Sequence, residues 1–472
     1  MNLFRTKPVL DDGEKSGLRK VLGPIDLTLM GIGCIIGAGI FVLTGQAAAL
    51  HAGPAIVLSF VAAGIACAFS ALAYAELAST IGGCGSAYGY GYATLGEIVG
   101  WIIGWDLILE YGFGVSTVAV GWAGYMNNAL TAVGIHLPVA ITAAPGAGGT
   151  VNLLAILVVA VVTVLLCIGT KLSARFNGIM VAIKLIVLLI FIGVAIFFIK
   201  PELWHPFIPE RVAHALNNPA NGPAYGWTGI MTGAATVFFA YIGFDSVSTA
   251  AEETRNPQRN VPIGIIGSLV ICTLLYIVVS GLLTGIVSYQ SLNTASPISD
   301  ALIQLGIKSM AGLVAVGAIA GLTTVCLVLF FGLTRIFLAM SRDGLLPPMF
   351  SSVNKKTGTP IRVIILSGII MAIVAGFTPI DKLASLVNIG TLAAFTVVCA
   401  GVIWLRYKRP DLLRPFRTPF TPLFPALGVL SCIALMLFLP SITWIVFVIW
   451  LIVGLFVYGF YGYRNSVVAK SS

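Results

Sequence analysis

Four glycines lie close together in a single apolar segment, at positions 31, 33, 37 and 39. A residue without a Cβ lets the backbone approach a ligand closely and lets several N–H groups converge. If a membrane helix breaks here and resumes after Gly39, its positive N-terminal end points into the gap. The pattern therefore predicts a carboxylate site around Gly37, Ala38 and Gly39. The alternative is a small-residue face for helix packing, because Gly33 and Gly37 also fit G-x-x-x-G.

A second interruption is predicted in residues 238–245, Phe-Phe-Ala-Tyr-Ile-Gly-Phe-Asp. Unwinding near Gly243 would free the carbonyls of Phe239, Ala240 and Ile242, which are good partners for an ammonium group or a small cation. One break that offers hydrogen-bond donors and another that offers acceptors together predict a binding site for a zwitterion. Phe239 is expected to form a lid over the substrate, and a lipid-facing aromatic is the alternative.

One lysine, Lys184, lies in an apolar segment with no other charge for eight residues before it or fifteen after it. A cation inside the membrane is costly and is by default a functional hypothesis. Burial disfavours the charged form of an amine, so this side chain is a candidate for binding and releasing a proton during transport. The alternative is that its ammonium group snorkels to the inner interface.

Two acids, Asp106 and Glu110, are four residues apart and so share one face of a predicted helix. They are expected to carry protons or to pair with buried polar groups near the site. Glu110 lies deeper in the apolar run and is the preferred candidate for proton coupling.

The remaining polar residues suggest structural or gating roles. Asp245 is expected to cap or bridge the second break, or to act in function. Glu76 and the cluster of Glu252, Glu253 and Arg255 are expected to form interfacial ion pairs or gates. The histidines show no metal-ligand spacing and no catalytic neighbours, and the eight cysteines are expected to be small buried hydrophobes rather than metal ligands or disulfides. No cofactor is expected.

Composition places the whole chain in a membrane. It is 472 residues long, 58% hydrophobic and only 9% charged, with a mean hydropathy of +1.02. Apolar runs of 18 or more residues recur along it, which is typical of transmembrane helices. The net charge of +9 does not indicate nucleic-acid binding, because the cations lie in short loops between apolar runs rather than in a basic patch.

Twelve spans of roughly 20 residues are predicted. Their approximate ranges, which define spans 1 to 12, are 25–50, 55–80, 97–130, 151–169, 178–199, 228–250, 262–287, 309–334, 362–378, 382–404, 420–438 and 442–463. With both termini inside, 21 of the 26 Lys and Arg residues fall in inner segments, 4 fall in outer loops, and Lys184 falls in a span. This bias follows the positive-inside rule and predicts a multi-pass protein of the cell membrane with cytoplasmic termini.

The two predicted breaks lie at related places in the chain. Spans 1 and 6 each begin a five-span block, and an odd number of spans inverts the second block relative to the first, as in inverted-repeat transporters. The predicted organisation is a cytoplasmic segment 1–24, a transporter core 25–405, two peripheral helices 406–464 and a tail 465–472.

Several motifs carry a family resemblance that spans about residues 25–465. Residues 31–41 closely resemble the helix 1 signature of the amino acid–polyamine–organocation superfamily. Residues 238–245 and 251–259 are similar to the helix 6 region and following loop of its cationic amino acid transporter family. Residues 341–347 and 414–417 match that family as well.

The resemblance implies a bundle of two inverted five-helix repeats plus two peripheral helices, working by alternating access. It implies that the substrate carboxylate meets the N–H groups of Ala38 and Gly39. It also implies that Lys184 corresponds to the helix 5 lysine of proton-coupled members. The amino group is expected to meet the carbonyls of Ile35, Phe239, Ala240 and Ile242. Residue 38 is Ala where a hydroxyl residue is common, so a side-chain contact is lost while the backbone contact remains.

The expected function is proton-coupled uptake of small neutral, alanine-like amino acids or of cationic ones. Neutral substrates are preferred because span 8 residues 323–329 supply no acid. An amino acid or polyamine exchanger is the alternative. A channel would need filter loops or charged rings, which the sequence does not show. An enzyme would need a nucleophile or a metal cluster, and the sequence shows neither. The expected partners are the substrate, protons and membrane lipid. A small membrane subunit or a sterol-like lipid is left open.

Overall fold

The computed structural model describes residues 5–6, 22–81, 87–168, 174–218, 222–251, 254–354 and 359–471, with the side chains at 174–178, 249 and 470–471 left aside. Within these residues the chain is nearly all helical and has isolated β-bridges but no strand. The prediction of an all-helical membrane protein is confirmed. Residues 252 and 253 lie outside the described part, so the predicted role of Glu252 and Glu253 stays a prediction.

Spans 1 to 5 are helical at the predicted places. Span 1 consists of Pro24–Ile35 and residues 39–52, and the other four helices are Ile56–Ile81, Glu97–Ala132, Leu153–Ile168 and Ala174–Ala195. Span 3 has 36 residues and is about 54 Å long at 1.5 Å per residue. Because the hydrocarbon core is about 30 Å thick, this helix must tilt or extend beyond it.

Spans 6 to 12 follow the same pattern. Span 6 consists of Gly226–Val237, the 3₁₀ turn Phe238–Tyr241 and the short helix Ser246–Thr249. The remaining spans are Pro257–Ile286, Lys308–Arg342, Ile361–Phe377, Ile380–Lys408, Leu423–Leu437 and Ser441–Val457, the last continued by turns to Asn465. Span 8 runs eight residues past its predicted end, because Arg335 ends the apolar run but not the helix.

Eight helical segments in the described residues are long and apolar enough to cross a membrane, and one of them covers parts of both span 1 and span 2. The shorter apolar helices are Pro24–Ile35 and spans 4, 9 and 11. Each of the twelve predicted spans therefore coincides with an apolar helix.

Two short helices outside the predicted spans lie at equivalent places in the two blocks. Ala87–Thr94 joins spans 2 and 3, and Pro297–Gln304 joins spans 7 and 8. In each block this helix stands between the second and the third span. The shared order of elements supports the predicted relation between spans 1–5 and spans 6–10.

Span 12 is attached to span 3 through tryptophans. The indole N–H of Trp105 donates to the carbonyl of Trp450 at 2.8 Å, and the indole N–H of Trp450 donates back to the carbonyl of Trp105 at 3.1 Å. Their rings stack with centroids 4.7 Å apart, and Trp101 donates to the carbonyl of Gly454. This peripheral helix is therefore fixed to the core by reciprocal polar contacts.

Candidate functional site

The break in span 1 lies where the glycines predict it. The first helix ends at Ile35, Ile36 adopts an extended conformation, and helical structure resumes at Gly39. The first N–H groups of a resumed helix have no carbonyl of their own helix to bind. Those of Ala38 and Gly39 are therefore placed as donors, and both residues are buried.

The break in span 6 is also confirmed. After the 3₁₀ turn, Ile242 is extended and Gly243 has a φ of +118°, a conformation that L-residues rarely adopt. A Cβ at Gly243 would lie 2.9 Å from the Cβ of Cys34, and a Cβ at Gly39 would overlap the backbone of Ala240. The two breaks are therefore in direct contact, and this approach requires glycine on both sides.

Tyr276 of span 7 connects the two breaks. Its hydroxyl lies 3.0 Å from the carbonyl oxygen of Ile35 and 2.8 Å from that of Ala240, and the two carbonyls share its one proton. Tyr276 is not among the residues that the sequence predicts for the site. The feature that could have indicated it is a tyrosine within an apolar span, because its hydroxyl needs a hydrogen-bond partner there.

Three of the four carbonyls predicted to receive the substrate's amino group already have protein donors. Those of Ile35 and Ala240 accept from Tyr276, and that of Phe239 accepts from the N–H of Ile242 at 3.3 Å. A carbonyl oxygen has two lone pairs, so each of these groups can accept one further hydrogen bond from an ammonium group.

Lys184 lies behind the span 1 break. Its side chain is only 1% exposed, and its ammonium group donates to the carbonyls of Gly33 at 2.8 Å and Ile36 at 3.1 Å. Its methylene groups face Gly321 of span 8. No ion pair with an acid is formed in the described part of the chain. The lysine therefore does not snorkel, and it holds the end of the first half of span 1, which is the predicted inner half.

A cavity of about 20 Å³ lies in front of the two breaks. Its lining combines the breaks with residues of spans 3, 8 and 10: Cys34, Ile35, Gly37, Ala38, Gly39, Glu110, Gly114, Val118, Phe239, Ile242, Val325, Leu329 and Val387. The space suffices for about one water molecule, and even the smallest amino acids need several times as much. The site is therefore nearly closed in this conformation.

Six of the seven predicted substrate residues line this cavity. The exception is Ala240, whose backbone packs on Gly39 and whose carbonyl faces Tyr276. Lys184 is also absent from the lining, because the span 1 break stands between it and the cavity.

The wall opposite the breaks is apolar apart from one carboxyl group. Gly114, Val118, Val325, Leu329 and Val387 supply the apolar part, in agreement with the expectation that the span 8 segment faces the substrate. Apart from Phe239, no aromatic side chain appears among the described lining residues. Such a wall suits a short apolar side chain.

Glu110 is the acid of the lining, and it is only 4% exposed. Asp106, one turn closer to the inner end of span 3, is 2% exposed and has one carboxyl oxygen without a hydrogen-bond partner. That oxygen faces Gly390 of span 10. Of the two acids predicted on this helix face, only Glu110 reaches the cavity.

Glu76 forms the ion pair predicted for it, away from the cavity. Arg406 binds its carboxylate through two hydrogen bonds of 2.9 and 2.7 Å, and Arg414 approaches to 3.6 Å. The N–H of Thr418 donates to the same carboxylate at 2.7 Å. These contacts join the C-terminal ends of spans 2 and 10 to the loop before span 11.

Comparison with known proteins agrees with this architecture. A family model described as amino acid permease matches residues 22–459, which include both breaks and almost all of the twelve spans. The chain is 47% identical over 474 residues to a methylthioribose transporter of Bacillus subtilis (strain 168), covering 99% of this chain and 100% of that protein. It is 48% identical over 475 residues to the branched-chain amino acid permease BcaP of the same organism, covering 98% of each. The vacuolar cationic amino acid transporter 4 of Arabidopsis thaliana is 40% identical over 396 residues, or 84% of this chain and 64% of that relative.

Proposed function

Because the chain belongs to the amino acid permease family, and is thus a transporter rather than an enzyme, we propose that it imports small neutral L-amino acids together with protons. The observation that carries the proposal is the position of Lys184, whose ammonium group binds the carbonyls of the same break that forms the cavity. The proton-binding group of Lys184 thereby contacts the same break in span 1 that binds the substrate.

The backbone of the two breaks supplies the common part of the site. The substrate carboxylate binds the N–H groups of Ala38 and Gly39 at the positive end of the resumed helix. The ammonium group binds free lone pairs on the carbonyls of Ile35, Phe239 and Ile242, with the Ala240 carbonyl behind them. These contacts select α-amino acids regardless of their side chain.

The apolar wall selects the side chain. Val118, Val325 and Leu329 offer no hydrogen bond to a polar group, and burying such a group without a partner is costly. Small apolar side chains such as that of alanine are favoured because the cavity must expand less for them than for larger ones. The name of the relative BcaP supports extension of the range to branched-chain side chains.

Proton coupling follows from the charge on Lys184. A protonated lysine attracts the carbonyls of Gly33 and Ile36 and so holds the inner half of span 1 against span 5. Loss of the proton leaves a neutral amine whose remaining N–H groups donate more weakly. The weaker contact lets the half-helix move, as alternating access at a broken helix requires. A fixed cation at this position also repels a sodium ion by simple Coulomb repulsion.

Uptake of labelled alanine into proteoliposomes tests the proposal. An inward proton gradient without sodium should drive accumulation, and a proton ionophore should abolish it. Accumulation that needs a sodium gradient would remove the role given to Lys184. Uptake that occurs only with amino acid preloaded inside would establish an exchanger instead.

A second candidate is uptake of cationic amino acids, which the position of Glu110 in the lining favours. Its carboxylate would pair with the substrate's side-chain cation. Competition by arginine against labelled alanine separates the two candidates. Strong competition by arginine in the unaltered chain, abolished in Glu110→Gln, would favour cationic substrates. Weak competition by arginine in both the unaltered chain and the variant would favour neutral ones.

A further inference from the structure

A second cavity opens at the predicted cytoplasmic end of span 7, and it shares no lining residue with the cavity at the breaks. It encloses about 690 Å³ between the start of this helix and the loop that joins spans 10 and 11. Its polar end is formed by Asn256, Gln258 and Arg259, and Arg259 is exposed. Among the described residues that line it, Arg259 carries the only charge. This cavity is called the inner groove below.

The rest of the inner groove is apolar. Ile263 and Ile266 follow Arg259 along span 7, and Phe416 forms part of the opposite wall. Ile263 is 43% exposed. Arg259 and Ile266 are seven residues apart, which corresponds to about 10 Å along the helix at 1.5 Å per residue. The groove therefore changes from polar to apolar over the distance that separates a lipid headgroup from its acyl chains.

We propose that the inner groove binds an anionic phospholipid of the cytoplasmic leaflet. Its phosphate contacts the guanidinium of Arg259, which suits phosphate geometry through paired N–H donors. One acyl chain lies along Ile263 and Ile266. A zwitterionic headgroup fits less well, because no described lining residue is an acid that could pair with its cationic part.

The position of the groove connects this lipid to transport, a step that rests on the proposed function. The neighbouring face of span 7 packs on the first half of span 1, where a Cβ at Gly264 would meet Leu27. Gly267, which also lines the groove, faces Thr28 of the same half-helix. That half-helix ends at the carbonyls held by Lys184. A lipid bound to span 7 thus stabilises the helix against which the first half of span 1 moves.

Native mass spectrometry of the purified full-length chain tests binding without any transport assay. The protein is titrated with phosphatidylglycerol or phosphatidylcholine, and bound lipid is counted on the folded monomer. Phosphatidylglycerol should bind more tightly, and Arg259→Gln should weaken it about fivefold, as expected for the loss of one interfacial cation. Arg255→Gln removes an equal charge four residues away, outside the groove lining, and should leave binding unchanged.

A second pair of variants tests the apolar half. Ile266→Trp fills the groove and should reduce phosphatidylglycerol binding, whereas Val270→Trp, at an exposed position outside the lining, should not. Glycerol phosphate without acyl chains should not compete. Equal binding of the two lipids, equal effects of Arg259→Gln and Arg255→Gln, or full competition by glycerol phosphate would each overturn the proposal.

Alanine uptake in vesicles with and without phosphatidylglycerol then tests the regulatory step. The lipid should raise the initial rate for the unaltered chain and not for Arg259→Gln. Specific binding without any effect on the rate would contradict the regulation alone. Absence of alanine uptake in every vesicle would instead contradict the proposed function, because binding is measured separately.

Discussion

Lys184 is the residue through which proton binding is proposed to change the position of the first half of span 1. Lys184→Met keeps most of the side-chain length but leaves the carbonyls of Gly33 and Ile36 without their charged donor. We expect exchange of alanine across the membrane to continue and proton-driven accumulation to cease. Counterflow and gradient-driven uptake measured on the same vesicles distinguish the two activities.

Lys200→Met is the matched control, because Lys200 is exposed in the outer loop after span 5. Its accumulation should equal that of the unaltered chain. Retained proton dependence in Lys184→Met would transfer the coupling role to another group, with Glu110 the next to test.

Tyr276→Phe tests the connection between the breaks. The substitution removes one hydroxyl and leaves the buried carbonyls of Ile35 and Ala240 without its hydrogen. We expect the free energy of unfolding to fall by about 1–3 kcal/mol and the affinity for alanine to fall as well. Thermal unfolding in detergent and equilibrium binding measure the two effects.

Tyr407→Phe is the control for that change, since Tyr407 is 81% exposed and its hydroxyl is accessible to water. It should alter neither quantity. A Tyr276→Phe protein with normal stability and normal affinity would show that the hydroxyl does not set the distance between the breaks.

Gly39→Ala tests the contact between the breaks. The added methyl group would overlap the backbone of Ala240, so the breaks must separate, and alanine uptake should be lost. The methyl group added by Gly112→Ala in span 3 would meet no atom within 4 Å. This substitution should stabilise the helix by about 0.5–1 kcal/mol. Uptake assays and unfolding curves of both variants compare the same substitution in opposite surroundings.

The sequence predicted the residues whose own chemistry is unusual for a membrane. Glycines 37 and 39, and a lone Lys184, are conspicuous in an apolar run, and all three lie at the breaks or bind to them. Tyr276 and Val118 are ordinary residues for a membrane helix. Their place at the site depends on how spans 7 and 3 are rotated against the breaks, which no local pattern specifies.

At the scale of the helices, the Glu76 cluster connects span 2, span 10 and the loop that follows it. Glu76→Gln leaves Arg406, whose side chain is 27% exposed, and the nearly buried Arg414 without a counter-charge. We expect stability to fall by about 3 kcal/mol, at the lower end for breaking a buried pair because Arg406 is partly hydrated. The midpoint of thermal unfolding measures the change.

Asp411→Asn provides the comparison on the same loop. The hydrogen bond from Arg409 lowers the pKa of Asp411, so the pair stabilises the fold above the ordinary carboxyl pKa and loses that effect as the pH falls. Both side chains are exposed, and an exposed pair contributes little. A larger loss for Asp411→Asn than for Glu76→Gln would contradict the assigned importance of the buried cluster.

Helix positions were more predictable than helix ends. Hydropathy identified every span, because long apolar runs with few charges are typical of helices that cross a membrane. It placed the end of span 8 at residue 334, just before Arg335, although the helix continues to Arg342. It also missed Ala87–Thr94 and Pro297–Gln304, which are too short and too polar to resemble spans, so packing rather than composition reveals them.

At the scale of the whole molecule, the distribution of cations predicts the orientation in the membrane. A fluorescent protein that matures only in the cytoplasm should fluoresce when fused after Ser472. The same protein inserted in the outer loop before span 6, near His214, should remain dark. The reverse result would invert the assigned topology and move the inner groove to the outer leaflet.

The bundle also fixes which parts can serve as a reference for measuring motion. Trp105 and Trp450 exchange hydrogen bonds in both directions, so span 12 cannot slide along span 3 without breaking two of them. A fluorophore on span 12 therefore behaves as a stationary marker. Energy transfer from it to a second dye on the inner half of span 1 would report the displacement of that half-helix in single molecules, uncontaminated by movement of the reference.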